Sequence, residues 1–428
     1  MSATRHEAVA EQRGLSGFLR FLWSELKPKG RLLTVFNLVS VPIMLATAVL
    51  LVIRFTKGLG SITNLSQEYP WGLWIGFDVV TGVAFAGGAY VITFLVYILR
   101  QEKYHPIVRV TVLNGFLAYV FYAGALLLDL GRPWNVINPI IGNSFGVSSV
   151  LFLVAWHFML YMMAAFLEFS PAVAEWLGMR RARKILSSLT VGAVIFGVTL
   201  SMLHQSGLGA LYLMAKGKIH PLWYSEFIPL LFVVSSVFAG LSLVIFEGTI
   251  SRRVFRERMS HEHHAHHDDI VLGLSKICAG TMFVYLFLKA LDLIHGQEVG
   301  LLGTGMGTWY LVEVVGFVLV PFILFTEAVR WRSQALCRVA AVLALVGILL
   351  NRLNVSTIAF QWYEPVRYVP SAWEIVVTLG VIFAEIWMFR WIVNRMPVLS
   401  ASPEWAANGH AKPAPTAGVA AVALAREE

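Results

Sequence analysis

Several ionisable side chains lie within or at the ends of stretches otherwise apolar enough to sit in lipid. Asp78, Asp129, His204 and Asp292 gather toward one membrane face. Glu168, Glu247 and Glu327 gather toward the other, and Glu313 and Glu385 lie between. A charge at the centre of a bilayer costs about 2.5–3.5 kcal/mol on insertion scales. Each such group is therefore a functional candidate or a paired brace between helices. Tyr119, Tyr122, Gln205 and Arg132 add donors and a cation beside the first set. A mostly apolar pocket with a few polar groups at one face suits a lipid-soluble quinone. Its carbonyl oxygens need hydrogen-bond donors, and its two-electron chemistry needs proton carriers. His204 can serve both needs near neutral pH. A secondary transporter coupled to buried carboxylates fits these residues equally well at this level.

The elements that must position these groups are helices. The composition is 57% hydrophobic and 14% charged, with a mean hydropathy of +0.70. Ten stretches have the length of roughly 20 apolar residues that a spanning helix needs. They are 33–54, 76–99, 107–128, 148–169, 186–207, 227–249, 270–292, 307–328, 336–350 and 373–394, numbered here as spans one to ten. The ninth is the weakest, being short and flanked by basic residues. Each is too long and too continuously apolar for a barrel strand. The expected fold is an all-α integral membrane protein.

Charge then sets the orientation. The N-terminal arm, the even-numbered loops and the C-terminal tail carry 24 of the 33 Lys and Arg, and the odd-numbered loops carry 7. This bias places both termini in the cytoplasm. The net charge of +8 reads as a topology signal and calls for no nucleic-acid partner. Residues 1–32 form a cytoplasmic arm in which LSGFLRFLWSEL (15–26) is amphipathic enough to lie on the inner membrane surface. Residues 33–398 form the membrane domain. Residues 399–428 form a tail, rich in Ala and Pro, that is expected to be disordered. The run HEHHAHHDD (261–269) reads as a solvated cytoplasmic loop, with no metal site assigned.

On the outer side, YPWGLWIGFD (69–78), LDLGRPWN (128–135), LHQSGLG (203–209), HPLWYSEF (220–227) and WYEPVRYVPSAWE (362–374) flank the spans. An aromatic belt at the lipid interface explains most of their Trp and Tyr. It does not explain Asp129 with Arg132, or His204 with Gln205. Gly82, Gly87 and Gly88 give span two either close helix approach or room for a flat ligand. The chain has two cysteines and no C-x-x-C, so neither an iron–sulfur cluster nor a c-type haem is expected within it. For a b-type haem the histidines at hand are His157, His204 and His295. His157 is placed nearer the membrane middle than His204, so a bis-histidine haem is not expected.

The stretches PWGLWIGFDV, YHPIVRV, D-x-GR-x-WN (129–135), LEFSPA (167–172), LHQSGLG, HPLWYSEF-x-PL, VIFEGT (244–249) and the Trp373–Glu374 pair run collinearly over roughly residues 30–398. Together they resemble the NrfD/polysulfide reductase membrane-subunit family, closest to the HybB-type "cytochrome b" subunit of nickel–iron hydrogenases. The resemblance implies two four-helix bundles plus extra helices, with a quinone pocket in the first bundle near the outer face. It implies electron exchange between menaquinone or ubiquinone and a peripheral, ferredoxin-like iron–sulfur subunit, and no haem in this chain. The catalytic partner it implies is a nickel–iron hydrogenase, a molybdoenzyme or a multihaem cytochrome in a bacterial inner membrane. It also assigns roles. His204 and Tyr119 match residues at the quinone or proton path, Glu168 and Glu247 match proposed proton carriers, and Asp129 with Arg132 match the D-x-GR motif. Pro133, the histidine-rich run and the long tail depart from that branch and leave the partner open.

The expected mechanism has His204 and Asp78 contacting or protonating quinone. Tyr119, Tyr122, Gln205, Asp129 and Arg132 shape the pocket. Trp71 and Trp74 form a docking rim, and Glu168 and Glu247 lead protons in from the cytoplasm. The alternatives are a transporter, for which no inverted repeat is visible, and a passive membrane anchor.

Overall fold

A computed structural model describes residues 15–27, 29, 33–138, 149–259 and 261–400. The disordered tail expected beyond Ala401 lies outside these residues. Among the described residues, ten helices are long and apolar enough to cross a membrane. Span one is Val35–Lys57, span two Trp74–Ile98, span three Glu102–Asp129, span four Val150–Trp176 and span five Arg180–Leu213. Span six is Ile228–Val254, span seven His266–His295, span eight Gly305–Arg330, span nine Gln334–Ile358 and span ten Ala372–Val393. Large apolar side chains such as Leu38, Leu45, Phe196, Phe283 and Ile323 point outward, as lipid-facing residues must.

Spans two to five pack as one four-helix bundle and spans six to nine as a second, with span six touching both. Glycines set the seam between them. A Cβ on Gly87 would strike the carbonyl of Ser236, and one on Gly240 would strike the backbone of Gly88. A Cβ on Gly82 would come 2.5 Å from the Tyr122 ring. The three glycines of span two thus serve close approach, and the alternative of room for a flat ligand is set aside there. Spans one and ten pair outside the bundles. Thr47 donates to the Val376 carbonyl at 3.1 Å and lies against Gly380.

Three departures from the sequence reading have local causes. Span nine reaches Ile358, because Asn351, Arg352 and Asn354 are buried with partners and their polarity had cut the apolar run short. The run HEHHAHHDD is no loop, since a helix extends from His261 to His295. The arm segment Leu15–Leu26 is a helix docked on the end of span ten, where Arg395 and Trp391 both donate to the Glu25 carbonyl. Spans two, eight and nine contain π-helical stretches, Trp74–Thr81, Val312–Leu319 and Asn354–Ile358. Such widened turns recur at functional positions. Here they carry Asp78, Glu313 and Asn354.

Candidate functional site in the first bundle

The outer half of the first bundle holds a cluster of buried polar groups with atoms left over. His204 of span five is 2% exposed. Its Nδ1 lies 3.2 Å from the Val154 carbonyl of span four, while Nε2 has no protein partner. The Tyr119 and Phe158 rings flank it, with centroids at 5.6 and 5.7 Å. Tyr119 is fully buried, stacks on Phe158 at 5.4 Å and faces Ser201. Gln205 donates to the Val83 carbonyl at 2.7 Å, and its Oε1 is unpartnered. His157 lies close enough to His204 to sense its charge.

A second group sits between spans two, three and ten. Asp78 is fully buried, accepts from Thr378 at 3.5 Å through Oδ2 and has Oδ1 unpartnered. Its placement follows from the π-helical turn at Trp74–Thr81, where Thr81 donates to the Gly76 carbonyl at 2.8 Å. Asp129 stands within electrostatic reach of Asp78, and its Oδ1 is also unpartnered. The cation beside Asp129 is Arg54 at the end of span one. Arg54 donates to the Leu128 carbonyl at 2.7 Å and to that of Leu130. A guanidinium on the last carbonyls of span three satisfies groups that a helix end leaves open. Arg132, expected to shape the pocket, is instead exposed, since the backbone turns outward after Leu130.

The tryptophans separate as well. Trp71 is half-buried, edge-on to Tyr212 at 5.8 Å. Trp74 is 2% exposed and donates to the Glu374 carbonyl at 3.1 Å. It cannot form a docking rim, because it braces span two against span ten. Gln361 and Tyr69 close the outer side. Gln361 donates its backbone N–H to the Lys218 carbonyl, and Tyr69 donates to the Gln361 carbonyl at 2.9 Å.

Toward the opposite end of the bundle, a row of groups follows spans three, six and ten. Tyr122 faces Glu385, Glu385 lies within electrostatic reach of Glu247, and Asn114 donates to Glu247. Tyr122 also lies in electrostatic reach of Asp78. Glu168 stands apart on span four. A Cβ on Gly197 would meet its Oε1 at 2.9 Å, which seats the carboxyl against span five. Tyr161 lies in electrostatic reach of Glu168 and of Tyr119, whereas Glu247 lies in reach of Glu385. Sequence reading missed Arg54, which counted only as an outer-loop charge, and gave Glu385 no role. The aromatic–acid pairing of Tyr122 with Glu385 is a tertiary contact with no local signature.

Residues 61–361 match the family model for Polysulphide reductase, NrfD. The chain belongs to this family. It is 41% identical to a protein of Nitratidesulfovibrio vulgaris over 87% of this chain and 97% of that one. It is 29% identical to the probable Ni/Fe-hydrogenase 2 b-type cytochrome subunit of Escherichia coli, over 84% and 91% of the two chains. It is 28% identical to the menaquinone reductase integral membrane subunit of Nitratidesulfovibrio vulgaris, over 74% and 80%. The NrfD match begins just before span two and ends just after span nine. It takes in both bundles and leaves out spans one and ten, which supply Arg54 and Glu385 to the polar row.

Proposed function

We propose that this NrfD-family chain is the quinone-reactive membrane subunit of a respiratory oxidoreductase complex. It exchanges electrons between menaquinone or ubiquinone and a peripheral, ferredoxin-like iron–sulfur subunit, whose catalytic partner is a nickel–iron hydrogenase, a molybdoenzyme or a multihaem cytochrome. The relative that acts as a menaquinone reductase subunit and the relative that serves a Ni/Fe-hydrogenase both support this reading. The observation that carries it is the set of leftover buried atoms. His204 Nε2 and Gln205 Oε1 are left over in the first group, where the Tyr119 and Phe158 rings flank His204, and Asp78 Oδ1 and Asp129 Oδ1 are left over in the second, between spans two, three and ten. Buried polar atoms are nearly always paired, and an unpaired one costs about 1–3 kcal/mol. A polar ligand of apolar body offsets that cost.

The donor set fits a quinone. The bound quinone supplies two-electron, two-proton chemistry. His204 Nε2 holds or gives a proton at a carbonyl oxygen, with its ring fixed by the Val154 carbonyl through Nδ1. Tyr119 and Phe158 supply flat apolar walls. Asp78 stands as the next proton holder, reached from the cytoplasm through Tyr122, Glu385 and Glu247. Glu168 forms a separate candidate branch.

In the purified native complex, His204→Ala is expected to lower quinone turnover by about a hundredfold or more while its subunits stay together. Undiminished turnover in that variant defeats the reading. Glu247→Gln and Glu385→Gln are expected to slow proton uptake from the cytoplasmic side.

A further inference from the structure

The histidine-rich run is the most conspicuous part of the sequence that this function does not use. Its first residues begin a helix that continues without a break into span seven. Two aspartates set the rotation of that helix. Asp268 pairs with Arg252 at 3.4 Å, and Gln334 donates to its carbonyl at 3.1 Å. Asp269 pairs with Arg332 at 2.7 Å. With both aspartates turned outward, His267 turns inward and is 4% exposed.

It turns into a cavity. Asn114, Glu247, Gly248, Ser251 and His267 supply the polar and small part of the wall, among apolar side chains. Water centres have ≈ 30 Å³ there, and roughly 10–15 Å³ is enough for one water. Gly248 lies beside His267, where a Cβ would make ordinary contact with His267 Cε1 at 3.7 Å. Among the described residues, the other residues lining the cavity bring no further acid or base. Span three faces the cavity with Thr111 and Asn114, span six with Glu247, Gly248 and Ser251, and the chain after span ten with Leu399. Arg252 and Asp268 lie on the exposed side of the same turns, and Lys103 and Tyr104 approach Gly273 further along.

We propose that His267 is the cytoplasmic proton inlet of the row that runs through Glu247, Glu385 and Tyr122; this rests on the proton-path reading above. The imidazole takes a proton from cytoplasmic water on one nitrogen and passes one through cavity water to the Glu247 carboxylate. Glu247 passes it to Glu385, and the ring returns to neutral. For each quinone reduced by two electrons from the iron–sulfur subunit, two protons enter this way. Quinol oxidation runs the same transfers backwards. The inlet is set by the only segment of the chain with this density of imidazoles, at the face where charge places the cytoplasm.

The test uses the native complex in proteoliposomes. Quinone turnover and proton uptake are followed with a pH dye on the cytoplasmic side. Glu247→Gln, His267→Gln and His267→Asn are compared with the unaltered complex at pH 6 and pH 8. The expected result is a loss of about tenfold or more in both histidine variants at pH 8. Added imidazole should restore turnover and uptake in these variants and leave Glu247→Gln unrestored. Rescue reads out only from assembled complex, so a folding defect cannot imitate it. A histidine variant at full rate beside a crippled Glu247→Gln overturns the inlet and keeps the path. A full rate in Glu247→Gln overturns the path and the inlet with it. Loss that imidazole does not restore, equal at both pH values, assigns His267 a purely structural role and also overturns the inlet.

Discussion

Each bundle buries a polar cluster, and the two clusters are finished differently. In the second bundle, Glu313 accepts from Trp223 at 2.7 Å, from Asn351 at 2.7 Å and from Asn354. Arg352 reaches Asn351 at 2.7 Å and Ser235 at 2.8 Å, with its guanidinium 3.6 Å over the Phe232 ring. Lys289 lies 5.1 Å over the Tyr310 ring. Both carboxylate oxygens of Glu313 are used, and Arg352 Nε is the one nitrogen of the set left over. In the first bundle, His204, Gln205, Asp78 and Asp129 each keep an unpaired atom. A network closed on itself holds helices together, whereas one with atoms to spare is built for something that comes and goes. The contrast also weighs against the transporter reading, since the most highly charged buried cluster has its carboxylate already saturated.

Substitutions in the two clusters should therefore separate stability from turnover. Glu313→Ala leaves the Trp223, Asn351 and Asn354 donors without their acceptor and removes the carboxylate within electrostatic reach of Arg352 and Lys289, and breaking a buried ionic network costs about 3–5 kcal/mol. A large fall in the thermal midpoint of the purified complex is expected, with the quinone KM of surviving complex unchanged. A mild shift in that midpoint would erase the distinction. Next in size, His204→Gln should lower quinone turnover by about a hundredfold and leave the midpoint almost in place. Glu385→Gln ranks third, at about tenfold in proton uptake, with assembly intact. If Glu385→Gln lowers the midpoint as Glu313→Ala does, Glu385 belongs with the braces. The smallest effect is expected for Arg132→Ala. Its side chain is exposed, so quinone turnover should stay within about twofold of the unaltered complex.

The architecture was largely legible because lipid demands long apolar helices. Span nine shows where that legibility ends. Its buried Asn351, Arg352 and Asn354 read as a helix end, although Glu313 of another span neutralises their polarity. The helical start of span seven was hidden for a related reason, since a helix of histidines and aspartates has no hydropathy signal. At the candidate site, His204, Gln205, Tyr119 and Asp78 stood out as polar residues in apolar surroundings, and the structure brings His204, Gln205 and Tyr119 together. Trp74 and Arg132 did not follow, because a side chain's direction depends on the π-helical turn of span two and on the exit of the chain after Leu130. Neither is written in residue type. The grouping of Glu247 with Glu385 and Tyr122, with Glu168 elsewhere, depends on which spans are neighbours.

Span ten closes the wall behind Asp78 and Trp74 through contacts between residues 300 positions apart. A ribosome delivers spans two and three to the membrane long before Thr378 and Glu374 exist. The acids of the outer cluster therefore wait in the bilayer without a lid until the final helix arrives. Order of synthesis thus delays closure of the outer polar cluster until the last helix is in place.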